Sequence, residues 1–318
     1  MKNRHSFIVV LFLLFAFHPT FSQDNTLSTP AAPVVKAGDD NLETRKIYKR
    51  KGTLYYYWGY NRAAYTHSDV HFHGKGYDFT ITDIAASDEP GYPVNTYYDP
   101  GLFTCPQYNQ RFGYFLSDKL FITIGHDHMK YRADKQTTHL TGTIKDGPHA
   151  GTYNNTDILI GETSESGQVL SSVVNTLPHG IVTDFQHCDG LNDISAEIGH
   201  LEQLWISKNA KYALSALGSV GLGVDVLDTD AEILGLAPKH DAPSKFKPFH
   251  PGGYSFSGSV GVQFDVYNHF FILGKIKSGF INLPDINTTV EGGKANQQFM
   301  FLESMMVVGY YHVIGKKK

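Results

Sequence analysis

The chain has 318 residues, 41% of them hydrophobic and only 18% charged, with 31 Gly, 19 Tyr and 21 Phe. That composition excludes a disordered, collagen-like or disulfide-scaffold protein. A formal charge of −4 and a pI near 6.4 leave no basic field for phosphate backbones, so nucleic acid is excluded as a partner.

Residues 1–22 open with Lys2 and Arg4, continue through an apolar run from Phe7 to Phe17, and end with Thr20 and Ser22 at the −3 and −1 positions of a cut before Gln23. This is the pattern of a secretory signal peptide, since the run is well short of the ~20 residues of a membrane-spanning helix. No Cys follows the run, so no lipid anchor is indicated there. Of the 27 basic residues, removal of Lys2 and Arg4 leaves 25 against 31 acidic ones, a mildly acidic exported chain of net charge −6. Residues 23–52 are rich in Pro, Ala and charge without periodicity, and read as a flexible periplasmic leader, with a tether or partner-docking arm as the functional alternative.

Beyond the leader no window holds 18 continuous apolar residues, and the mean hydropathy is −0.25. A closed β-barrel crosses a membrane with strands that are only half hydrophobic, and these values permit it. The period of two is explicit in Tyr254 to Val266, where Ser255, Ser257, Ser259, Gln263 and Asp265 alternate with Phe256, Val260, Val262, Phe264 and Val266. Leu214 to Val226 repeats it, with Val220, Leu222 and Val224 opposite Ser219, Gly221, Gly223 and Asp225. Further on, Phe270, Ile272 and Ile276 oppose Lys275 and Lys277, and Met300, Leu302, Met306, Val308, Tyr310 and Ile314 oppose Glu303. A helix would place apolar residues every third or fourth position, so these segments are strands.

Tight connections at Ser117–Lys119, Ser207–Lys211 and Tyr267–His269 fix the rest. Counting outward from them predicts eight strands, near 53–62, 107–117, 119–132, 181–207, 211–230, 253–267, 269–283 and 297–314. The long connections 63–106, 133–180, 231–252 and 284–296 alternate with the short ones and leave both termini on the short-turn side, as a bacterial outer-membrane barrel requires. The expected fold is therefore all-β, an antiparallel transmembrane up-and-down β-barrel occupying 53–318. Asp78 to Ile84 also alternates; it reads as a short strand within the first long connection, and counting it as spanning would give ten or more strands. The strands at 181–207 and 211–230 exceed the 9–11 residues of a bilayer crossing, so the barrel is expected to rise beyond the outer leaflet.

The signal ending Phe21-Ser22-Gln23, the first strand Leu54-Tyr55-Tyr56-Tyr57-Trp58-Gly59-Tyr60-Asn61-Arg62, the segment Gly76-Tyr77-Asp78-Phe79-Thr80 and the aromatic last strand resemble outer-membrane β-barrel proteins of the Bacteroidota. The resemblance covers nearly all of the mature chain and implies fold and compartment; it brings no catalytic motif. Lys316 to Lys318 depart from the terminal aromatic residue of many such barrels.

An eight-stranded barrel is narrow enough for side chains to fill, so this is not a wide-pore porin. The alternation turns Arg111, Glu197, Asp225, Asp265, Lys275, Lys277 and Glu303 inward, where opposite charges at similar depth form a plugging salt-bridge network; a gated proton or ion path is the alternative. His67, His71 and His73 with Asp69 are the candidate metal ligands, for zinc or copper, and His126 and His128 form a second same-face pair. That second pair, with a neighbouring Ser and Glu, is also where a lipid A deacylase or acyltransferase would be sought, although no nucleophile, base and orienting group assemble from spacing. Cys105 and Cys188 are expected either to form a disulfide or to stand as two free thiols. No cofactor is expected. The functional expectation is a non-enzymatic outer-membrane barrel that binds or scaffolds through its long extracellular loops, with outer-membrane lipid and lipopolysaccharide as partners. The alternatives are an accessory subunit touching other outer-membrane or periplasmic proteins, and the lipid-modifying enzyme.

Overall fold

The computed structural model describes residues 48–89, 94–102, 104–161, 180–236 and 249–313. The chain divides into Met1–Arg45 and Lys46–Lys318; the signal peptide and most of the leader lie outside the described residues, as does Ile314. Thirteen strands follow in order: β1 (Thr53–Tyr65), β2 (Ser68–Gly74), β3 (Tyr77–Ile84), β4 (Ala86–Ser87), β5 (Tyr108–Phe115), β6 (Leu120–Ala133), β7 (Gln136–Ile144), β8 (Gly151–Ile160), β9 (Val182–Ile206), β10 (Tyr212–Ile233), β11 (His250–Val266), β12 (Phe270–Asn287) and β13 (Lys294–Val313).

Hydrogen-bonded pairing returns on itself. β1 pairs with β13 from Thr53↔Val313 to Tyr65↔Phe301 and, on its other edge, with β5 from Leu54↔Tyr114 to Tyr60↔Tyr108. The order β1-β5-β6-β9-β10-β11-β12-β13 is therefore a closed antiparallel ring of eight strands, which leaves no edge unpaired over its lower part. The three-residue connection of β11 to β12 opens with a turn in which the His269 N–H donates to the Val266 carbonyl at 3.2 Å and both central residues, Tyr267 and Asn268, are left-handed at φ 55° and 59°, which matches the twist of the strands. At Ser207–Lys211 the Ser207 hydroxyl accepts the backbone N–H groups of Lys211 and Tyr212.

The connections expected to be loops at 63–106 and 133–180 instead hold β2, β3, β4, β7 and β8. The upper end of β13 continues past the ring and pairs with β2, from Lys294↔His73 to Gln297↔Val70, and β2-β3-β7-β8 extends the sheet from there. The segment Asp78 to Ile84 is thus part of β3 in this side sheet, and the ring itself keeps eight strands. β4 ties the wall at two points, Ala64↔Ser87 and Ala86↔Ala133.

The polarity of the wall inverts along its height. Near the tight turns β13 turns Met306 and Val308 outward and Glu303 inward; at its upper end it turns Gln298 outward and Phe299 and Ala295 inward. β12 does the same, with Ile272 and Ile276 outside and Lys275 and Lys277 inside below, and Ile281 and Leu283 inside above. The lower outer face carries Phe112, Ile122, Ile124, Ile194, Ile198, Val220, Leu222, Val260 and Val262, all exposed. From Leu214 to Val224 this belt is roughly 25 Å tall for strands tilted by about 40°. Aromatic pairs edge it: Tyr212 with Phe264 and Phe270 with Tyr310 at the turn end, Trp58 with Tyr60 and Tyr254 with Phe256 above.

Inside, three layers stack upward from the turns. An aromatic cluster of Tyr55, Tyr57, Phe115, Phe121, Phe271 and Tyr311 comes first, with Gly309 leaving room for the Phe271 ring. A charged layer follows, and above it lies a larger apolar core in which Val70, Phe72, Phe79 and Ile81 of the side sheet meet Met129, Tyr131, Phe185, Leu283 and Phe299 of the ring. Within the lower cluster the remaining void is about 20 Å³, room for about one water.

The last residues of the segment read as a flexible leader belong to the barrel. Tyr48 and Arg50 are buried, the Tyr48 N–H donates to Gln203 Oε1 at 3.0 Å, and Arg50 Nη2 reaches Asp265 Oδ2 at 2.8 Å. Asp118 accepts the backbone N–H groups of Lys51 and Arg50, and these hydrogen bonds hold its carboxyl below the usual carboxylate range. The chain is pinned across the turn end before β1 begins.

Candidate functional site

Alternation brings charged side chains from six strands into one layer. Lys277 Nζ lies 2.6 Å from both Asp127 Oδ2 and Asp193 Oδ2. Arg111 pairs with Asp127, reaches Glu197 at 3.2 Å and donates to the Ser195 hydroxyl at 2.9 Å. Lys275 binds Glu197 at 2.8 Å, and Ser219 donates to the same carboxylate. Glu303 accepts from Asn109 at 2.7 Å, a neutral donor instead of the cation expected for it. Asp225 is fully buried at the top of the layer, and among the described residues neither carboxylate oxygen has a hydrogen-bond partner. Asp265 does not join this layer: it sits at the turn end, held by Arg50, Gln263 and Tyr311.

Sequence reasoning missed Asp127, Asp193, Asn109 and Arg50. The first was within reach, because Phe121, Thr123, Gly125, Asp127, Met129 and Tyr131 share one side of β6 by simple alternation. Bulges interrupt the period where β6 meets β9, between Met129 and Tyr131.

Above the charged layer His187 is fully buried, with Nε2 donating to Gln297 Oε1 at 3.3 Å and Nδ1 accepting from Thr229 at 2.8 Å. Burial holds its pKa down at about 4, against 6.5 for a free imidazole. The unfolded chain thus binds a proton that the folded one refuses between these values, and stability falls as pH drops from about 6.5 to 4. Asp184 opposes this: burial lifts its carboxyl to about 6, so its contribution is present at low pH and lost as pH rises from 3.8 through 6. Replacing His187 with Asn is expected to remove from the acid side of the stability profile a slope approaching that of one proton taken up on unfolding, about 1.4 kcal/mol per pH unit, read by urea unfolding between pH 7 and 4. An unchanged slope would mean that the imidazole titrates freely.

The histidines of the proposed metal cluster are engaged otherwise. His71 donates through Nε2 to Asp78 at 2.8 Å and accepts from Asn296 at 3.2 Å, while His67 pairs with Asp83 at 2.7 Å. Asp69 accepts the Asp83 backbone N–H. His71 and His73 stack at 5.3 Å between ring centres without a shared third ligand. Among the described residues no group of three or more His, Cys, Asp or Glu side chains is placed to hold a metal ion, and both nitrogens of His71 are engaged in hydrogen bonds. Cys105 and Cys188 are free thiols and form no disulfide; Cys188 donates to the Tyr131 carbonyl, and burial raises its thiol pKa.

The second histidine pair forms the floor of a cleft on the outside of the wall. His126 Nε2 and His128 Nδ1 both donate to Asn192 Oδ1, at 2.7 and 2.8 Å, and the Asn192 amide donates on to the Val226 carbonyl. Tyr108 stands against both imidazoles, at 5.4 and 5.3 Å between ring centres. Phe112, Ile124 and Ile194 line the lower part, while Thr104 and Phe249 contribute from the connections above. The cleft measures about 630 Å³, and among the described residues no Ser, Cys or carboxylate lines it.

Neither a family model nor a curated protein matches the chain. Among solved structures it is similar to the outer membrane protein OprG of Pseudomonas aeruginosa, at 10% identity and a TM-score of 0.36, over 83% of this chain and 97% of that one. Ail, the attachment invasion locus protein of Yersinia pestis, is similar at 10% identity and 0.25, over 82% and 99%. The outer membrane protease OmpT of Escherichia coli is similar at 6% identity and 0.26, over 83% and 99%. Likenesses this distant add nothing to what the strand pairings establish.

Proposed function

We propose that the chain is an integral outer-membrane β-barrel with a filled interior, exported by its N-terminal signal, with a structural, binding or scaffold role and no wide pore. The observation that carries this reading is the inversion of polarity along one wall. In water the belt of Phe112, Ile124, Val220, Leu222, Val260, Val262, Met306 and Val308 would be a large exposed apolar patch, whereas in a bilayer it faces acyl chains. The upper part, polar outside and apolar inside, suits water. The tight turns then face the periplasm, and the side sheet stands outside the cell. The partners on this reading are outer-membrane lipid and lipopolysaccharide around the belt. Among the described residues no Ser, Cys or carboxylate stands beside the histidines of the lateral cleft, which favours binding over acyl transfer there.

Separation of the membranes of cells making the full chain tests this. The protein is expected in the outer-membrane fraction, with an epitope in the connection between β7 and β8 reached by antibody on intact cells, and purified protein is expected to give no steady conductance in planar bilayers. Recovery as a soluble periplasmic protein would overturn the membrane reading, and a steady porin-like conductance would overturn the filled interior.

A further inference from the structure

We propose that the lateral cleft between β5, β6 and β9 is a binding site for a single-chain or acyl-linked lipid whose head carries hydroxyl or amide groups. The proposal rests on the membrane reading, because it takes the occupant from the lipid that the belt would face.

The registers order the lining by height. Phe112 pairs with Ile124 at the lowest level, Gln110 and His126 lie one step higher beside Ile194, and Tyr108, His128 and Asn192 form the top. The lining therefore changes from hydrocarbon to hydrogen-bonding groups over three successive outward positions, the order in which a lipid of the outer leaflet presents its chain and its head. The lower end is continuous with the apolar belt, so a chain can enter sideways without crossing water.

The polar end is specific in its chemistry. Asn192 accepts from both imidazoles, which fixes His126 with a hydrogen on Nε2 and leaves its Nδ1 as an acceptor. Among the described residues no Lys or Arg lines the cleft. A bare phosphate would find no cation among these residues, whereas a hydroxyl, or an amide through its N–H and its C=O, can donate to His126 and accept from Gln110 or Tyr108. The volume lies within the ordinary range for small-molecule sites of roughly 300–1,000 Å³.

Native mass spectrometry of the full mature protein, exchanged into an amine-oxide detergent that carries no hydroxyl, tests the proposal with two probes. 1-Monopalmitoylglycerol should leave one retained adduct per chain, and methyl palmitate, which has the same chain without a donor, should bind about tenfold more weakly. Ile194→Trp fills the cleft from an outward, half-exposed position and should abolish the retained adduct; His126→Leu should weaken it about tenfold. The folded state of each variant is checked by its heat-shifted electrophoretic mobility. Equal retention by wild type and Ile194→Trp would mean adsorption on the belt and overturn the site. Equal binding of the two probes would overturn the hydroxyl or amide class. Because binding is read in detergent, failure here is separate from failure of the outer-membrane assignment, which the fractionation decides.

Discussion

Replacing Lys277 with Met is expected to lower the unfolding free energy of the barrel by about 3–5 kcal/mol, the cost of removing one partner from a buried ion pair. Lys277 is fully buried and bridges Asp127 and Asp193 at 2.6 Å each. Without it Asp127 still has Arg111 and Asn109 in direct contact, whereas the hydrogen bond left to Asp193 among the described residues is that from the Ser255 hydroxyl at 2.8 Å, with Arg111 acting on it at longer range. The same change at Lys275 should cost less, because Glu197 retains Arg111 and Ser219. Adding Asp193→Asn to Lys277→Met should recover part of the loss, since it removes the carboxylate left without a cation. Denaturant unfolding in lipid vesicles, followed by the fluorescence of Trp58 and Trp205, reads all three. A loss below about 1 kcal/mol would mean that water reaches the layer and that the interior is not filled.

Met306→Arg is the second large effect. Met306 is 70% exposed and lies within the outer belt, where Arg costs about 2–4 kcal/mol near the middle of a bilayer. Gln298→Arg is the matched control, on the same outward face of the same strand but in the polar upper part, and is expected to stay within about 0.5 kcal/mol. In a water-soluble protein both changes would be surface substitutions of small effect. The difference between them, measured in vesicles, therefore reports on what surrounds the belt.

Much of the ring was legible because its two faces meet different media: Lys275 and Lys277 against Ile272 and Ile276 give the period, and turns such as Tyr267-Asn268 give the register. The side sheet was not, apart from part of β3. Strands β7 and β8 carry runs such as Gln136-Thr137-Thr138-His139 and Thr152-Tyr153-Asn154-Asn155, whose polar residues hide the half-buried pattern. Arg50 stands among Lys49, Lys51 and Tyr48 in a stretch that reads as solvated, and only the closed ring brings Asp265, more than two hundred residues away, above it. Asn192 lies within the strand expected at 181–207, but that it is the partner of His126 and His128 appears only when β9 is laid beside β6. Contacts that depend on register across distant strands are what local pattern cannot supply.

The belt can be tested most directly with nitroxide labels along β13, from Leu302 to Val308, introduced one at a time as cysteines with Cys105 changed to Ser and Cys188 to Ala, in lipid vesicles. Collisions with oxygen, which concentrates in hydrocarbon, are expected to be frequent at 302, 304, 306 and 308, and collisions with a water-soluble nickel complex rare. At 305 and 307, whose side chains are buried inside the barrel, both should be rare. Nickel collisions that match or exceed those of oxygen at the outward positions would place this face in water and contradict the membrane-spanning barrel.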